Sequence, residues 1–276
     1  MKRRFAAACM ATLALIYLMP VALTFISSFM GEKELIELYS GNSARLRWIP
    51  NQATLDGYFE LLFANGKYLQ MFWRSAAIAC FISAGGTVVS TFAGFLLAKV
   101  PMRGNRTLRF LYAFMMMMPF QVTLLPNYMI IRQMGLYNTQ WALILPGIFA
   151  PLSVFLVSQF MRNLPDEILE ASALETNSIL QTALYIVVPL SRPALIAQFL
   201  LSFAEAWNMV EQPLVMLEDE WKYPLSLALN SVSSTQILVV FAGAALYLTP
   251  VIFLYRVFED ALLQGIRGIE CEVRVG

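Results

Sequence analysis

The stretch Pro165-Asp166-Glu167-Ile168-Leu169-Glu170-Ala171-Ser172-Ala173-Leu174-Glu175 is polar and acidic, and it lies between strongly apolar segments. Pro165 suits the first turn of a helix, where its missing N–H costs nothing. Asp166 and Glu167 suit the positive end of the helix dipole. The same loop closes with Pro189-Leu190-Ser191-Arg192-Pro193. We therefore predict two short helices that form a docking surface on a membrane domain.

The ends of the loop helices have capping residues of their own. Asn163 can cap the first helix, and Ser178 with Gln181 forms the pattern of a capping box for the second. On the docking interpretation, small and acidic residues of the first helix fit a cleft on a partner: Glu170, Ala171, Ser172, Ala173 and Glu175. A solvated amphipathic hairpin accounts for the spacing equally well, so the residues alone leave both interpretations open.

The composition of the whole chain is that of an integral membrane protein. Of its 276 residues, 59% are hydrophobic and 13% are charged, and the mean hydropathy is +0.64. Soluble domains have about 45–50% apolar and about 25% charged residues. Continuous apolar runs without a period of two favour helices over a barrel. We predict an all-α integral membrane fold with six transmembrane helices at about 5–30, 71–98, 108–131, 141–161, 194–217 and 237–258.

Several function classes are excluded by residue type. The chain has no histidine and only three distant cysteines, so His-based catalysis, zinc sites and CxxC redox motifs are absent. It has no G-x-x-x-x-G-K-[ST] motif, so it cannot hydrolyse ATP by that route. The net charge of +1 indicates no nucleic-acid partner. The acids Glu205, Glu211 and Asp219 lie along one segment and do not form a catalytic set.

Most Lys and Arg residues flank the spans on one side, which predicts that both termini and the loop 163–193 are cytoplasmic. The apolar segment after Lys2-Arg3-Arg4 is too long for a signal peptide, so we expect it to be retained as a span. We interpret 1–276 as a single domain with an external segment at 31–70. Within that segment, residues 55–63 have the pattern of an interfacial helix.

The second span carries a stripe of small residues, Gly86, Ser90 and Gly94, at intervals of four. Such a stripe lets another helix approach closely. The approaching helix could belong to a second membrane subunit, but packing within one bundle is the favoured interpretation. For the run Met115 to Met118 the default expectation is also core packing.

Glu205 is the acid that the sequence places deepest in the membrane, roughly 18 Å along the fifth span from Pro193. An acid there faces protein or water. It can line a solute path, pair with a neighbouring subunit or be protonated. Asn208 lies one turn on, and Glu211 and Gln212 follow nearer the outside, where water suffices for them. Our candidates for a substrate path are Glu205, Asn208 and Glu211.

The loop residues Glu170-Ala171-Ser172, Glu175 and Pro189-Leu190-Ser191-Arg192-Pro193 resemble the EAA loop of bacterial ABC-importer permeases. The family pattern is approximately E-A-A, an acid three residues on, then Gly, then P-L-x-x-P. Ser172 replaces the second Ala, and Thr176 replaces the Gly. Because Thr resists the positive φ that Gly allows, the turn can instead fall at Asn177.

The resemblance covers most of the chain and points to the carbohydrate-uptake group, which includes the smaller permease of the maltose transporter. Trp207-Asn208 followed by Pro213-Leu214 resembles its W-N-x(4)-P-L segment, and 258–268 resembles its closing segment, with 269–276 beyond it. Tyr58 and Trp73-Arg74-Ser75 fit the same group, although Asn is expected at Arg74.

The resemblance implies a permease subunit of a binding-protein-dependent ABC importer in the bacterial plasma (inner) membrane, for a sugar or oligosaccharide. It implies a second homologous permease, two ATPase subunits that hold ATP and Mg, an external solute-binding protein, and no cofactor in this chain. It assigns ATPase coupling to one run of loop residues: Glu170, Ala171, Ser172, Ala173, Glu175, Thr176 and Asn177.

Three other functions were weighed. An ABC importer for a peptide, polyamine or phosphonate would keep the loop. A secondary transporter would have inverted repeats or broken helices, and we find no clear internal repeat. An intramembrane enzyme lacks catalytic groups.

Overall fold

The computed structural model describes residues 2–40, 48–64, 66–175, 178–231 and 237–275, and their regular structure is helical. The N-terminal half contains α1 (Lys2–Ser27), α2 (Glu32–Ser40), α3 (Asp56–Phe59), α4 (Gly66–Lys99), α5 (Asn105–Met116), α6 (Phe120–Gln133) and α7 (Trp141–Ile148). The C-terminal half contains α8 (Pro151–Arg162), α9 (Asp166–Glu175), α10 (Ile179–Thr182), α11 (Val188–Leu190), α12 (Arg192–Trp207), α13 (Glu211–Met216), α14 (Leu225–Ser231) and α15 (Ile237–Val275). Single π turns, Glu60–Ala64 and Ala183–Val187, continue α3 and join α10 to α11.

Four stretches of the described chain are long and apolar enough to cross a membrane: Arg4–Ser27, Gly66–Lys99, Trp141–Arg162 and Ile237–Asp260. Two helix pairs pass the same test only together. These are α5 with α6, bent by 101°, and Ile179–Leu190 with α12, bent by 79°. The chain is therefore a multi-pass helical membrane protein with four to six candidate spans.

The third predicted span, 108–131, is not one continuous helix. α5 ends at Met116, and α6 begins only after Pro119, which has φ −59° and ψ 140°. Proline disfavours the α region for the residue before it and donates no N–H, so the chain turns there.

The fifth predicted span, 194–217, is not one continuous helix either. α12 ends at Trp207, and the six-residue helix α13 follows after a break at 208–210. Asn208 Nδ2 donates to the Ala204 carbonyl at 2.7 Å, a local bond of the kind that competes with helix continuation. Pro213 could not donate to the Met209 carbonyl, which accepts a bond from Ser226 Oγ at 2.5 Å instead.

The residues form two compact units, and each has its own packing. The first comprises Met1–Trp73 and Leu227–Pro250. Within it, Ser28 Oγ lies 2.7 Å from Tyr58 Oη, and Tyr68 Oη donates to the Gly243 carbonyl at 2.9 Å. Gly57 is buried so closely that a Cβ there would lie 2.9 Å from the Leu238 carbonyl oxygen. Part of the predicted external segment 31–70 is therefore packed against α15. The interfacial position of 55–63 stays a prediction.

The second unit comprises Arg74–Ser226 and Val251–Gly276. Here α4, α8 and α12 are joined by a buried amide: Gln198 donates to Ser153 Oγ at 3.0 Å and accepts from Thr87 Oγ1 at 2.6 Å. The small-residue stripe of α4 faces these helices, with Gly86 near Gln198 and Gly94 against Val157 and Ser158. Close approach within the chain, the favoured interpretation, accounts for both glycines.

A second polar cluster of this unit holds the loop 217–223 to the loop 137–139. Asn138 has φ 58°, and its side chain donates to Asp219 at 2.9 Å and accepts from the Glu218 amide at 3.1 Å. Lys222 Nζ lies 2.8 Å from both the Asn138 carbonyl and Asp219. These bonds to Lys222 and Asn138 lower the pKa of the Asp219 carboxyl. We call Asn138, Asp219 and Lys222 the loop latch.

Candidate functional site

The loop 163–193 folds into α9 and a second helical segment, Ile179–Leu190. Ser178 caps the second segment, since its Oγ accepts from the Gln181 amide at 3.4 Å. Asn163 does not cap α9 as expected but ends α8, where its amide donates to the Phe160 carbonyl at 3.1 Å. Asp166 and Glu167 occupy the first turn of α9 as predicted.

This loop is packed onto the ends of three long helices. A buried apolar cluster combines Ala183 and Val187 of the second segment with residues of α4, α8 and α12: Phe95, Val157, Met161 and Leu195. Leu169 of α9 packs against the same cluster. Because close-packed side chains transmit displacement, a force on the loop reaches α4, α8 and α12 directly.

Lys99, the last residue of α4, ties the start of the loop to the bundle. Its Nζ donates to the Leu164 carbonyl at 2.6 Å, to the Arg162 carbonyl at 3.4 Å and to Asp166 Oδ1 at 2.6 Å. The Lys99 side chain is 5% exposed, whereas that of Asp166 is 79% exposed. A cation is favoured at the carbonyl end of α8. In the sequence Lys99 contributes only to the prediction of orientation, because no local pattern reveals contacts 63 to 67 positions away.

The outer surface of the loop combines acids, a small side chain and large apolar side chains. Glu170 and Ala171 are exposed on α9. Several large apolar side chains of the second segment are also exposed, a feature of interaction surfaces: Ile179, Leu180, Leu184 and Tyr185. The sequence does not distinguish these four side chains as a surface, because their apolar character alone also fits a core. We call Glu170, Ala171, Ile179, Leu180 and Tyr185 the loop face.

Other predicted loop residues lie elsewhere or outside the described part. Ser172 is 4% exposed and donates to the Leu169 carbonyl at 2.7 Å, with Thr182 Oγ1 3.5 Å away. It therefore lies between the two loop segments, and its role in ATPase coupling stays a prediction. The side chains of Ala173 and Glu175, and the whole of Thr176 and Asn177, lie outside the described residues.

The second unit also contains a cavity of about 1010 Å³ beside the break between α12 and α13. Met115, Met116 and Met118 line it, and Met117 is exposed as well, so the expectation of core packing for this run is wrong. The polar side chains in its wall are Thr123, Asn127, Ser202, Glu205, Asn208, Glu211 and Gln212. All three path candidates therefore share one cavity.

The candidate acids differ in their surroundings. Glu205 is in the last turn of α12, and no hydrogen bond or ion pair links it to another described residue. Glu211 accepts from Gln121 Nε2 at 3.0 and 3.2 Å. Gln212 is buried and donates to the Ala142 carbonyl at 3.1 Å. The expectation that Gln212 simply meets water is therefore wrong, since it fixes α13 to α7.

Metal chemistry has no support in this arrangement. Across the part of the chain that the structure describes, no three Cys, Asp or Glu side chains come together in a way that could hold an ion. The site consists instead of the packed loop 163–193 and a mixed polar and apolar cavity on the same helices, as expected of a membrane transport subunit.

Comparison with known proteins places this architecture in a family. Residues 86–268 match the binding-protein-dependent transport system inner membrane component family, and the chain belongs to that family. The matched region includes the loop 163–193 and the break between α12 and α13. The family is one of transporter membrane subunits, so the chain is a transport component and not the ATPase.

Individual relatives align with this chain over most of its length. The permease protein AraQ of an arabinooligosaccharide transport system in Halalkalibacterium halodurans is 28% identical over 93% of this chain and 91% of its own length. The lactose transport permease LacG of Rhizobium radiobacter is 26% identical over 75% of this chain and 77% of its own length. A solved bacterial ABC transporter involved in alginate import has a chain with TM-score 0.77 and 20% identity, covering 93% of this chain and 94% of that one.

Proposed function

We propose that this chain is one of two membrane subunits of an ABC importer that takes up a sugar or oligosaccharide. The observation that carries the proposal is the match of 86–268 to the binding-protein-dependent transport family. The sugar assignment is supported by relatives named for arabinooligosaccharide and lactose transport. The Trp207-Asn208 and Pro213-Leu214 segment adds to it by resemblance.

In this proposal the chain crosses the membrane six times as one permease domain. The bent pair of α5 and α6 makes one crossing and α12 with the short helix α13 makes another, while Ile179–Leu190 belongs to the loop 163–193. Both termini and the loop 163–193 face the cytoplasm, as the Lys and Arg distribution predicts. The partners are a second permease, a dimer of ATPase subunits that bind ATP and Mg, and an external binding protein. All of these partners are separate polypeptides.

The loop face is the proposed contact for the ATPase. α9 and the second segment act as two coupling helices, with Glu170 and Ala171 entering a cleft and the apolar side chains of Ile179 and Tyr185 packing at its edge. When the ATPase subunits close on ATP, the loop is displaced. The buried cluster and Lys99 then transfer this displacement to α4, α8 and α12.

The cavity is the proposed solute path of this subunit. The cavity borders α12, one of the three helices that pack against the loop 163–193 through the buried cluster. The break at 208–210 also fits this role, because irregular backbone at membrane depth is tolerated where it lines a cavity. Glu205, Asn208 and Glu211 are the residues proposed to meet the solute.

The experiment that tests the proposed function identifies the solute. The binding protein encoded beside this chain is purified and screened against sugars, oligosaccharides, peptides and polyamines. Its best ligand is then supplied to cells with and without this chain. We expect a saccharide whose uptake is lost on deletion and restored by the chain. Restored uptake of a peptide or polyamine instead would assign the importer to the alternative solute class.

A further inference from the structure

We propose that the solute passing this chain is an uncharged saccharide, and that Glu205 and Glu211 act as specificity residues that exclude acidic saccharides such as uronates. The inference rests on the proposed function and adds the charge class of its solute. It starts from the charges in the wall of the 1010 Å³ cavity. Among the described residues that line the cavity, two are carboxylates and none is Lys or Arg.

Neither carboxylate is offset by a cation. Glu205 has no hydrogen bond or ion pair to another described residue. The partner of Glu211 is the amide of Gln121, which carries no charge. Like charges repel more strongly in a cleft with low-dielectric walls than in water. An anionic solute would thus meet repulsion from this wall at two points.

The cation on the nearest lining helix is engaged elsewhere. α6 contributes Thr123 and Asn127 to the cavity, and it also carries Arg132. Arg132 Nη1 donates to Tyr128 Oη at 2.9 Å, and its guanidinium lies 5.8 and 6.0 Å from the ring centres of Tyr128 and Tyr137. Arg132 does not line the cavity, so it does not change the sign of the wall.

The rest of the wall suits an uncharged sugar. The amides of Asn127 and Asn208 and the hydroxyls of Thr123 and Ser202 can donate to or accept from sugar hydroxyls. The carboxylates can accept from them as well, without an opposing charge. Methionine side chains adapt to the apolar faces of different rings. The volume lies at the upper end of the roughly 300–1,000 Å³ seen for small-molecule sites, which fits a short oligosaccharide segment.

The test uses the complete transporter in proteoliposomes with its binding protein. The binding protein is first screened against matched neutral and uronate trisaccharides, such as galactotriose and trigalacturonate. Uptake of each accepted sugar is measured for the parent, for Glu205→Lys and for Glu220→Lys. Glu220 is exposed and lies outside the cavity wall. Its variant therefore makes the same change of charge without altering the cavity. Comparing uptake ratios between variants cancels the preference of the binding protein.

We expect the parent to take up the neutral sugar at least tenfold faster than the uronate. Glu205→Lys should raise the uronate-to-neutral ratio at least tenfold, and Glu220→Lys should leave it unchanged. If Glu205→Lys does not assemble, the double variant with Glu205→Gln and Glu211→Gln should raise the same ratio. A binding protein that accepts only neutral sugars, all of them taken up, also supports the proposal.

Three results would overturn the inference: a parent that takes up the uronate as fast as the neutral sugar, a binding protein that accepts only acidic sugars, or an assembled Glu205 variant with an unchanged ratio. Transport of a peptide or polyamine with no saccharide accepted would instead reject the proposed sugar function. In that case the saccharide part of the inference falls, and only the exclusion of anions by Glu205 and Glu211 is still tested: uptake of an anion would contradict that exclusion, and uptake of a neutral or cationic solute would agree with it.

Discussion

Lys99 Nζ lies 2.6 Å from the carbonyl oxygen of Leu164, so the end of α4 is bonded to the residue that leads into α9. The bond joins positions 65 apart in the sequence. It joins α4 to the loop 163–193, together with α8 and α12, whose side chains share the buried cluster that packs against the loop.

Replacing Lys99 by Met should therefore weaken the attachment of the loop. The variant leaves the Leu164 and Arg162 carbonyls without this donor, and losing a charged hydrogen bond in such a place costs about 1.5–3 kcal/mol. We expect a lower Tm of the purified complex and less uptake per ATP hydrolysed. Asp166→Asn is the matched control, because its exposed ion pair contributes at most about 1 kcal/mol. Equal effects of both variants would contradict the role of the carbonyl bonds.

Charge reversal at Glu170 should impair contact with the ATPase. Glu170 is exposed on α9, so Glu170→Lys should leave the permease folded while it opposes basic groups on the partner. We expect about tenfold lower ATPase stimulation by the loaded binding protein, and a smaller loss with Glu170→Gln. Normal stimulation in assembled Glu170→Lys complexes would show that Glu170 does not dock the ATPase.

A bulky residue at Ala171 should block close approach of the partner. Ala171 is exposed, so Ala171→Trp should insert and fold normally but lose most uptake and co-purify less ATPase. Gln133→Trp adds the same bulk at an exposed position, the last residue of α6. This control should show the same uptake and the same amount of co-purified ATPase as the parent. Unchanged uptake by Ala171→Trp would argue against a buried interface at the loop face.

The two glycines of the α4 stripe should respond differently to alanine. A Cβ at Gly94 would lie 3.0 Å from Val157 Cγ1 and 3.1 Å from the Ser158 nitrogen, whereas one at Gly86 would have its nearest neighbour at 3.6 Å. Gly86→Ala should keep or raise the Tm, since alanine favours a helix interior by about 1 kcal/mol over glycine. Gly94→Ala should lower it. The same sign for both variants would conflict with the packing described.

The loop latch should depend on pH through Asp219. Because its folded-state pKa is lowered by Lys222 and Asn138, its stabilisation is present above the unfolded value of about 3.9 and is lost as pH falls below it. Hydrogen exchange of residues 217–223 should be slow and constant between pH 5 and 8 after correction for intrinsic rates. In the Asp219→Asn variant, the amides of residues 217–223 should exchange faster in that pH range. Exchange rates equal to those of the parent would contradict the loop latch.

The sequence predicts local features of the fold well and distant contacts poorly. Ser178 caps its helix and Asp166 lies in the first turn of α9, because both signals depend on neighbouring residues. Hydropathy also predicts the membrane spans in α1, α4 and α15. It misses the helix breaks at Pro119 and Asn208, because the apolar composition continues through both breaks. Lys99, Gln198 and the burial of Ser172 depend on contacts between separate helices, which a single sequence does not encode in any readable pattern.

We propose that this chain imports its solute through ATP hydrolysis by separate subunits. The most direct measurement is solute uptake into proteoliposomes that contain both permeases and the ATPase dimer, with binding protein outside and ATP inside, each component being omitted in turn. We predict that uptake requires all of them, and that Ala171→Trp abolishes it in an assembled complex. Uptake by the permeases alone, driven by an ion gradient without ATPase or ATP, would contradict the proposed ATP-driven import.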